Sequence, residues 1–400
     1  MNNNLSLTAW KPKKKTLLIV CVIIVAILAG LLTIAAFFDY QISEMIAAPL
    51  LPTVPNTTID LANGAAINQL GQVYTNSIFG RIIEIIGTAP CIIVTVCALA
   101  IFYWNSNRIK NDHLRRFTKI SMVTLSIAWN IYACFFQFFP LLVISVVGVQ
   151  NYGGSGFGPL DGMGHINNPY TVALYISFGA IFGAIMTAPV FLMFKQVKTQ
   201  TMRELLRWAF ITSTACLASI VTIEVLLKPL LQRERFRFIY AFSQVNLIYN
   251  SADSSFIGMT GAQYSTMMYG GFHSWYELPL SPTAYQSGNL PFISEDVSKS
   301  FPSGHMTMAA AGFYSLVILP LTVRSLSTKK WRWILFTTAF VGAGLVGFGR
   351  VLCGAHFLSD VVMGSFIAMS FLTIFYCTNV YANKWLDKQC GFAIRERKIA

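Results

Sequence analysis

Three short segments of this 400-residue chain carry charged and histidine side chains at spacings that could support chemistry. The first holds a lysine and an arginine separated by six residues. The second reads Pro-Ser-Gly-His, and in the third a histidine and an aspartate follow an arginine. The segments are 228–235, 301–305 and 350–360. Each adjoins a long apolar run, so helix ends could hold their side chains together.

These side chains together fit a phosphate group. Lys228, Arg235 and Arg350 supply positive charge, and guanidinium groups match phosphate oxygens in bidentate pairs. Ser303 and the backbone amide of Gly304 add neutral donors at a predicted helix start, where the helix dipole favours an anion. The pattern therefore indicates a binding site for a phosphoryl group.

The histidines and the aspartate add acid–base and nucleophilic capacity. His305 and His356 can exchange protons near neutral pH. Asp360 follows His356 by four residues, a spacing that places both side chains on one face of a helix. We therefore expect the Asp360 carboxylate to hold one ring nitrogen of His356 and to leave the other nitrogen free to attack.

The composition is that of a membrane protein. Hydrophobic residues make up 55% of the chain and charged residues 11%, against a charged share of roughly 25% in soluble proteins. So few charges could not cover the surface of a soluble protein of this size. The formal net charge of +13 would suggest nucleic acid in a soluble protein. Here the charge is explained by membrane orientation, and no nucleic-acid partner is expected.

The apolar runs predict an all-α, polytopic transmembrane bundle of about eight spans, because a helix of about 20 apolar residues crosses the bilayer core. The predicted spans are 16–38, 82–104, 118–140, 171–194, 207–227, 304–323, 333–350 and 358–380. We divide the chain into an N-terminal transmembrane region, 1–200, a core region that carries the three segments, 201–383, and a basic cytoplasmic tail, 384–400.

The basic residues orient these spans. Of the 29 Lys and Arg residues, 22 lie in the N-terminal segment, in three alternate loops and in the tail, which the positive-inside rule places in the cytoplasm. Both termini are then cytoplasmic, and all three chemical segments meet at the outer face. The outer loop 228–302 is longer than a connection requires. It is interpreted either as a lid over the site or as an interfacial aromatic belt.

The eight cysteines do not recur at zinc-type spacings. The sequence therefore predicts neither a disulfide framework nor a metal site, and no cofactor is expected.

At the residues of the three segments, the chain resembles the type-2 phosphatidic acid phosphatase family, in its integral membrane branch. The family pattern is Lys, six residues, Arg-Pro; then Pro-Ser-Gly-His; then Ser-Arg, five residues, His, three residues, Asp. Every charged and histidine position of that pattern occurs in order over roughly 204–380. Two positions depart from it: Phe236 stands in place of proline and Gly349 in place of serine.

The resemblance implies a role for each residue. His356 would be the nucleophile that forms a phosphohistidine, Asp360 would orient it, and His305 would protonate the leaving oxygen. The phosphoryl group would be held by Lys228, Arg235, Ser303, Gly304 and Arg350. The resemblance also implies metal-independent chemistry and a six-span core, which leaves one extra pair of spans before the first motif.

The leading hypothesis is a membrane phosphatase that hydrolyses a lipid phosphate or diphosphate at the outer face of the plasma membrane. Its partners would be that lipid and the bilayer. Three alternatives stay open: a lipid phosphotransferase that uses the same site, a phosphatase for a soluble sugar phosphate, and a non-catalytic membrane scaffold or transporter.

Overall fold

The computed structural model shows a bundle of long helices. It describes residues 14–50, 58–60, 78–133, 181, 183–185, 187–231, 233, 235–236, 239–240, 246–248, 274–276 and 300–389. The helices are α1 (Lys14–Ala47), α2 (Ile78–Asn105), α3 (Asp112–Ala133), α4 (Thr199–Val221), α5 (Lys228–Leu231), α6 (Gly304–Thr322), α7 (Lys329–Leu352) and α8 (Leu358–Gln389).

Shorter elements join these helices. A π-helix, Thr222–Leu227, connects α4 to α5 without a break. Short 3₁₀ turns occur at Ala48–Leu50, Ser106–Arg108 and Arg324–Leu326. Two three-residue strands, β1 (Thr58–Asp60) and β2 (Asn246–Ile248), pair in parallel, with Thr58 opposite Asn246. The sequence patterns did not predict this small strand pair, but the bundle itself is all-α as expected.

Among the described residues, six helical segments are long and apolar enough to cross a membrane. They are Val22–Ala47, Ile86–Arg108, Thr199–Leu231, Gly304–Thr322, Lys329–Leu352 and Leu358–Thr378. This confirms a polytopic helical membrane protein, with six of the eight predicted spans. The predicted span 118–140 falls on α3, which is not among the six over its described part, and 134–140 lie outside the described residues. The predicted span 171–194 is described only from residue 181, as part of a shorter apolar helix, Gly183–Lys195.

The centre of the bundle is α6, which packs against α2, α4, α7 and α8. Its buried face consists largely of alanine, glycine and serine, and small residues let membrane helices approach closely. A Cβ atom built on Gly312 would overlap the backbone of Pro90 and Cys91 in α2. Tight packing on four sides fixes the N-terminal end of α6, where the second motif begins.

The first helix extends further than predicted. The expected span ended at residue 38, where Asp39 interrupts the apolar run, but α1 continues to Ala47. The prediction was wrong because Asp39 is only 2% exposed and forms an ion pair with Arg233. A buried and paired carboxylate does not have to leave the membrane helix.

The extra helices lie between the second and third of these six spans. Helix α3 packs against α2. Its Asn130 side chain donates a hydrogen bond from Nδ2 to Thr187 Oγ1, at 2.9 Å, in the helix Gly183–Lys195. The pair implied by the resemblance therefore contacts the bundle from the side of α2.

Candidate active site

The first and second motifs meet where α5 and α6 begin. Lys228 follows the π-helix, a widened turn that is often found at functional sites, and its side chain is largely buried. Lys228 Nζ donates to Glu224 Oε1 at 2.7 Å. A Cβ atom built on Gly304 would lie 2.8 Å from this Nζ and would overlap Glu224 Oε1. Glycine at position 304 therefore lets the start of α6 lie against the ammonium group.

The second motif forms the N-terminal end of α6. Ser303 is its N-cap residue and accepts a hydrogen bond at Oγ from the Met306 amide, at 3.3 Å. The Ser303 amide donates to the carbonyl oxygen of Asp360, at 3.0 Å. This bond ties the second motif to the third. His305, the second residue of α6, is half-buried, and its Cβ lies 3.5 Å from the Cβ position of Gly87 in α2.

The third motif spans a tight turn between α7 and α8. Arg350 lies in the last turn of α7 and is 1% exposed. Gly354 adopts a φ of 60°, the left-handed conformation with which many helices end. The Ala355 amide then donates to the Arg350 carbonyl oxygen at 3.2 Å. This turn reverses the chain and places His356 just before α8.

The first motif contacts this turn through Arg235. The Arg235 Nη1 atom donates to the carbonyl oxygen of Ala355, one residue before His356, at 3.3 Å. Arg235 is 4% exposed. All three motifs therefore adjoin one another at the end of the bundle where α4 and α7 finish and α6 and α8 begin.

The ring of His356 is held differently from the expectation. His356 precedes α8 and is not part of a helix. Its Nδ1 atom lies 3.6 Å from Asp360 Oδ2, too far for a hydrogen bond, and 2.8 Å from the carbonyl oxygen of Ser300. Since a carbonyl oxygen only accepts, Nδ1 carries the proton, and the lone pair of the neutral ring is on Nε2.

The surroundings of His356 keep its imidazole neutral. Burial is the largest cause of a pKa well below the usual value for histidine. The positive charges of Arg235, Arg350 and Lys228 lower the pKa further. The hydrogen bond to the Ser300 carbonyl acts in the opposite direction but is the smallest cause. Three cations around a neutral imidazole form a site that can hold an anion and present a nucleophile to it.

Asp360 is fully buried and fixes the start of α8. Its Oδ2 atom accepts hydrogen bonds from Ser300 Oγ at 2.5 Å and from the Phe357 amide at 2.8 Å. Its Oδ1 atom accepts from Arg233 Nη1 at 2.7 Å. The carboxylate therefore reaches the His356 ring through Ser300, the residue whose carbonyl oxygen binds that ring.

Sequence reasoning missed four residues of this arrangement: Asp39, Arg233, Ser300 and Ser359. Two of them carried a signal. Arg233 is an additional basic residue inside the first motif, and Asp39 is an acidic residue at the end of an apolar run. Both are 2% exposed, and charged groups at membrane depth usually have a partner and a function.

The two departures from the family pattern have local explanations. Phe236 is completely buried and packs against three aromatic rings, those of Tyr40, Tyr240 and Phe357. At position 349, a Cβ atom would lie 2.8 Å from Cδ1 of Ile83 in α2. The Ile83 side chain therefore occupies the space into which a serine at 349 would project.

The fold and the site together define a helical membrane protein in which cations surround a buried, neutral histidine. The family model described as the PAP2 superfamily matches residues 208–384 of the chain, a stretch that includes all three motifs. This match and the membrane-length helices together support a membrane phosphatase of the PAP2 superfamily. No solved structure matches the chain.

Proposed function

We propose that this phosphatase hydrolyses the phosphate or diphosphate monoester of a membrane lipid, with His356 as the nucleophile. The observation that carries the lipid assignment is an apolar cavity of about 410 Å³ beside the site. The cavity lies between α1 and the face formed by α6, α7 and α8, within the span region. Its size is in the usual range for pockets that bind small ligands, about 300–1,000 Å³.

The cavity is adjacent to the reacting groups. Met306 and Val351, which line it, directly follow His305 and Arg350 in the chain, and Leu358 is the first residue of α8. The lining is almost wholly apolar. A polar head held by the cations would therefore place an attached acyl or isoprenoid chain at the mouth of an apolar chamber. A soluble sugar phosphate would leave that chamber unused.

The arrangement of groups supports the following reaction. Lys228, Arg235 and Arg350 neutralise the phosphoryl oxygens. His356 Nε2 attacks phosphorus, the bond from phosphorus to the ester oxygen breaks, and His305 gives that oxygen its proton. Water then attacks the phosphohistidine and His305 takes up a proton from it. The N–P bond breaks, phosphate leaves, and both histidines return to their starting states.

Activity with and without the nucleophile is the first test. The purified protein in detergent, with a chelator present, is assayed for phosphate release from phosphatidate, polyprenyl diphosphate and a soluble phosphomonoester. We expect release from a lipid substrate and loss of turnover in His356→Ala and Asp360→Asn. Wild-type rates in both folded variants would refute the assignment of the site. Transfer of the phosphoryl group to a second lipid, seen by product analysis, would instead indicate a phosphotransferase.

The cavity can be tested with a pair of glycine substitutions. A Cβ atom added at Gly344, which lines the cavity, or at Gly30 in α1, which does not, meets no atom within 4 Å. Gly344→Phe should reduce kcat/KM for a long-chain lipid phosphate by about tenfold or more, because excluding two buried CH₂ groups costs about 1.6 kcal/mol. It should leave a short soluble phosphate unaffected, and Gly30→Phe should change neither. Equal effects of Gly344→Phe on both substrates would contradict a lipid-binding cavity.

The outer-face location is part of the same proposal. The described basic residues at the far end of the bundle, such as Lys110, Lys198 and Lys330, support a cytoplasmic assignment for that end. Glu44 near the site and Lys110 at the far end are both exposed. On a background without native cysteines, an impermeant maleimide should label Glu44→Cys in intact cells and Lys110→Cys only after permeabilisation. The reverse pattern would place the site in the cytoplasm.

A further inference from the structure

A buried ionic network joins the first helix to the third motif. The Arg233 guanidinium lies between two carboxylates that belong to different helices. Its Nη2 atom donates to Asp39 Oδ2 at 2.8 Å, and its Nη1 atom donates to Asp360 Oδ1 at 2.7 Å. None of the three side chains is more than 3% exposed. The family pattern assigns no role to position 233 or to any residue of α1.

Two neighbours of Asp360 complete the network. Ser359 accepts from Arg233 Nη1 at 2.6 Å and donates its hydroxyl to Asp39. The Ser359 amide also donates to Asp39 Oδ1, at 3.1 Å. The Phe357 ring lies 4.1 Å from the Arg233 guanidinium carbon, in cation–π contact. Asp39 and Arg233 therefore hold the start of α8, from Phe357 to Asp360.

The network reaches the nucleophile in two further steps. Asp360 Oδ2 accepts from Ser300 Oγ, and the Ser300 carbonyl oxygen accepts from His356 Nδ1. Arg233 also binds Ser300 through the backbone: the carbonyl oxygen of Arg233 accepts a hydrogen bond from the Ser300 amide at 2.9 Å. The residue that orients the imidazole is therefore fixed by Arg233 directly and by Asp39 through Arg233.

We propose that Arg233 and Asp39 are positioning residues of the phosphoryl-transfer site, which set the orientation of His356 through Asp360 and Ser300. This inference rests on the proposed function. It also makes α1 a functional part of the site, although that helix lies outside the family match. The simpler alternative is an ion pair that only attaches α1 to α8. A positioning role predicts that the folded variants lose turnover, whereas a purely structural ion pair predicts that they keep it.

The two single substitutions should have different consequences. Arg233→Gln leaves Asp39 and Asp360 close together without their shared cation. We expect kcat to fall about 100-fold, the loss that follows from a displacement of about 1 Å in a reacting group, with KM changed less than threefold. Asp39→Asn leaves Arg233 bound to Asp360 but removes the anchor on α1. We expect kcat to fall about tenfold.

The double variant gives the sharpest result. In the Arg233→Gln background, Asp39→Asn removes one of the two buried carboxylates that have lost their shared cation. We therefore expect it to raise kcat, although the same substitution lowers kcat in the wild type. Such a reversal of sign is expected when residues act through one network, whereas independent sites contribute additively. Glu44→Gln, which removes an exposed carboxylate of α1, is the matched control and should leave kcat unchanged.

The measurement is kcat and KM per folded molecule on the lipid phosphate that the wild type hydrolyses best, with folding followed by size exclusion and thermal unfolding. If the wild type hydrolyses no phosphate ester, the proposed function fails and this inference falls with it. If the wild type is active and Asp39→Asn keeps full kcat, only the positioning role is overturned. A lowered melting temperature with normal kcat, or losses that simply multiply in the double variant, overturns it as well. Should Arg233→Gln not fold, the kcat of the isosteric Asp39→Asn variant decides.

Discussion

The contact of Gly304 with Lys228 makes the substitution Gly304→Ala informative. An added methyl group would lie 2.8 Å from Lys228 Nζ, whereas ordinary contacts begin at 3.4 Å. The ammonium group must therefore retreat by about 0.6 Å, and Glu224 Oε1 must move further. Both atoms are the ends of side chains that can rotate, and Glu224 is 45% exposed. We therefore expect Gly304→Ala to affect activity more than the stability of the fold.

The expected loss follows from this displacement. Since a misplacement of about 1 Å can cost 100-fold in rate, a shift of about 0.6 Å in Lys228, a proposed phosphate-binding cation, should reduce kcat/KM about 10- to 100-fold. Thermal unfolding should change little. The assay is phosphate release by the purified protein, with melting followed in the same detergent. Adding Glu224→Ala, which removes the most crowded neighbour, should restore part of the lost activity.

Gly312→Ala provides the contrasting control. A methyl group at position 312 would meet the backbone of Pro90 and Cys91, which cannot move aside as a side-chain end can. Overpacking of this kind typically costs about 1–3 kcal/mol, so this variant should lose thermal stability instead of site-specific activity. Wild-type kcat/KM in Gly304→Ala, or equal losses of stability in both variants, would refute the reasoning.

Four further predictions follow from the geometry around His356 and Arg235. Because the pKa of His356 is lowered, the decline in kcat/KM that its protonation causes on the acidic side should be centred below about pH 6.5; an acidic decline centred at or above 6.5 in the pH–rate profile would contradict this. The same shift means that the unfolded chain binds more protons just below pH 6.5, so the contribution of His356 to stability decreases as the pH falls from about 6.5 to the folded-state pKa, measurable as a falling melting temperature that His356→Gln would flatten. Ser300→Ala removes a hydrogen bond to the Asp360 carboxylate but keeps the carbonyl that binds His356, so kcat should fall about tenfold with KM unchanged; an unaltered kcat would argue against a role for Ser300. Arg235→Lys replaces a planar fork with a point charge and should weaken inhibition by inorganic phosphate about tenfold, which an unchanged inhibition constant would disprove.

Much of the architecture could be predicted because it depends on contiguous sequence. A run such as 304–323 is apolar over the length of a bilayer, and the structure gives Gly304–Thr322. The order and spacing of the motifs were also readable, because each is confined to a few residues. Their meeting at one end of the bundle follows from alternation of the spans, which place 228, 305, 350 and 356 at helix ends on the same side.

The spacing of His356 and Asp360 did not predict the partner of the His356 ring. A separation of four residues predicts that both side chains share one helix face. Gly354, in the left-handed conformation, instead ends the preceding helix, and His356 lies outside α8. The His356 ring then donates a hydrogen bond to the carbonyl oxygen of Ser300, 56 residues away in the chain. Such a partner has no sequence signal, since every residue carries a carbonyl oxygen.

The sequence by itself determined the membrane class, six of the spans and the positions of the charged groups along the chain, because hydrophobicity and spacing are properties of neighbouring residues. Only the tertiary structure decided which charges are paired. Arg233 and Asp39 are 194 residues apart, and an aspartate after an apolar run indicates the end of a span until a cation is found to neutralise it. The length of α1, the tautomer of His356 and the proposed role of α1 in the site all depend on such distant pairings, which arise only when the helices pack.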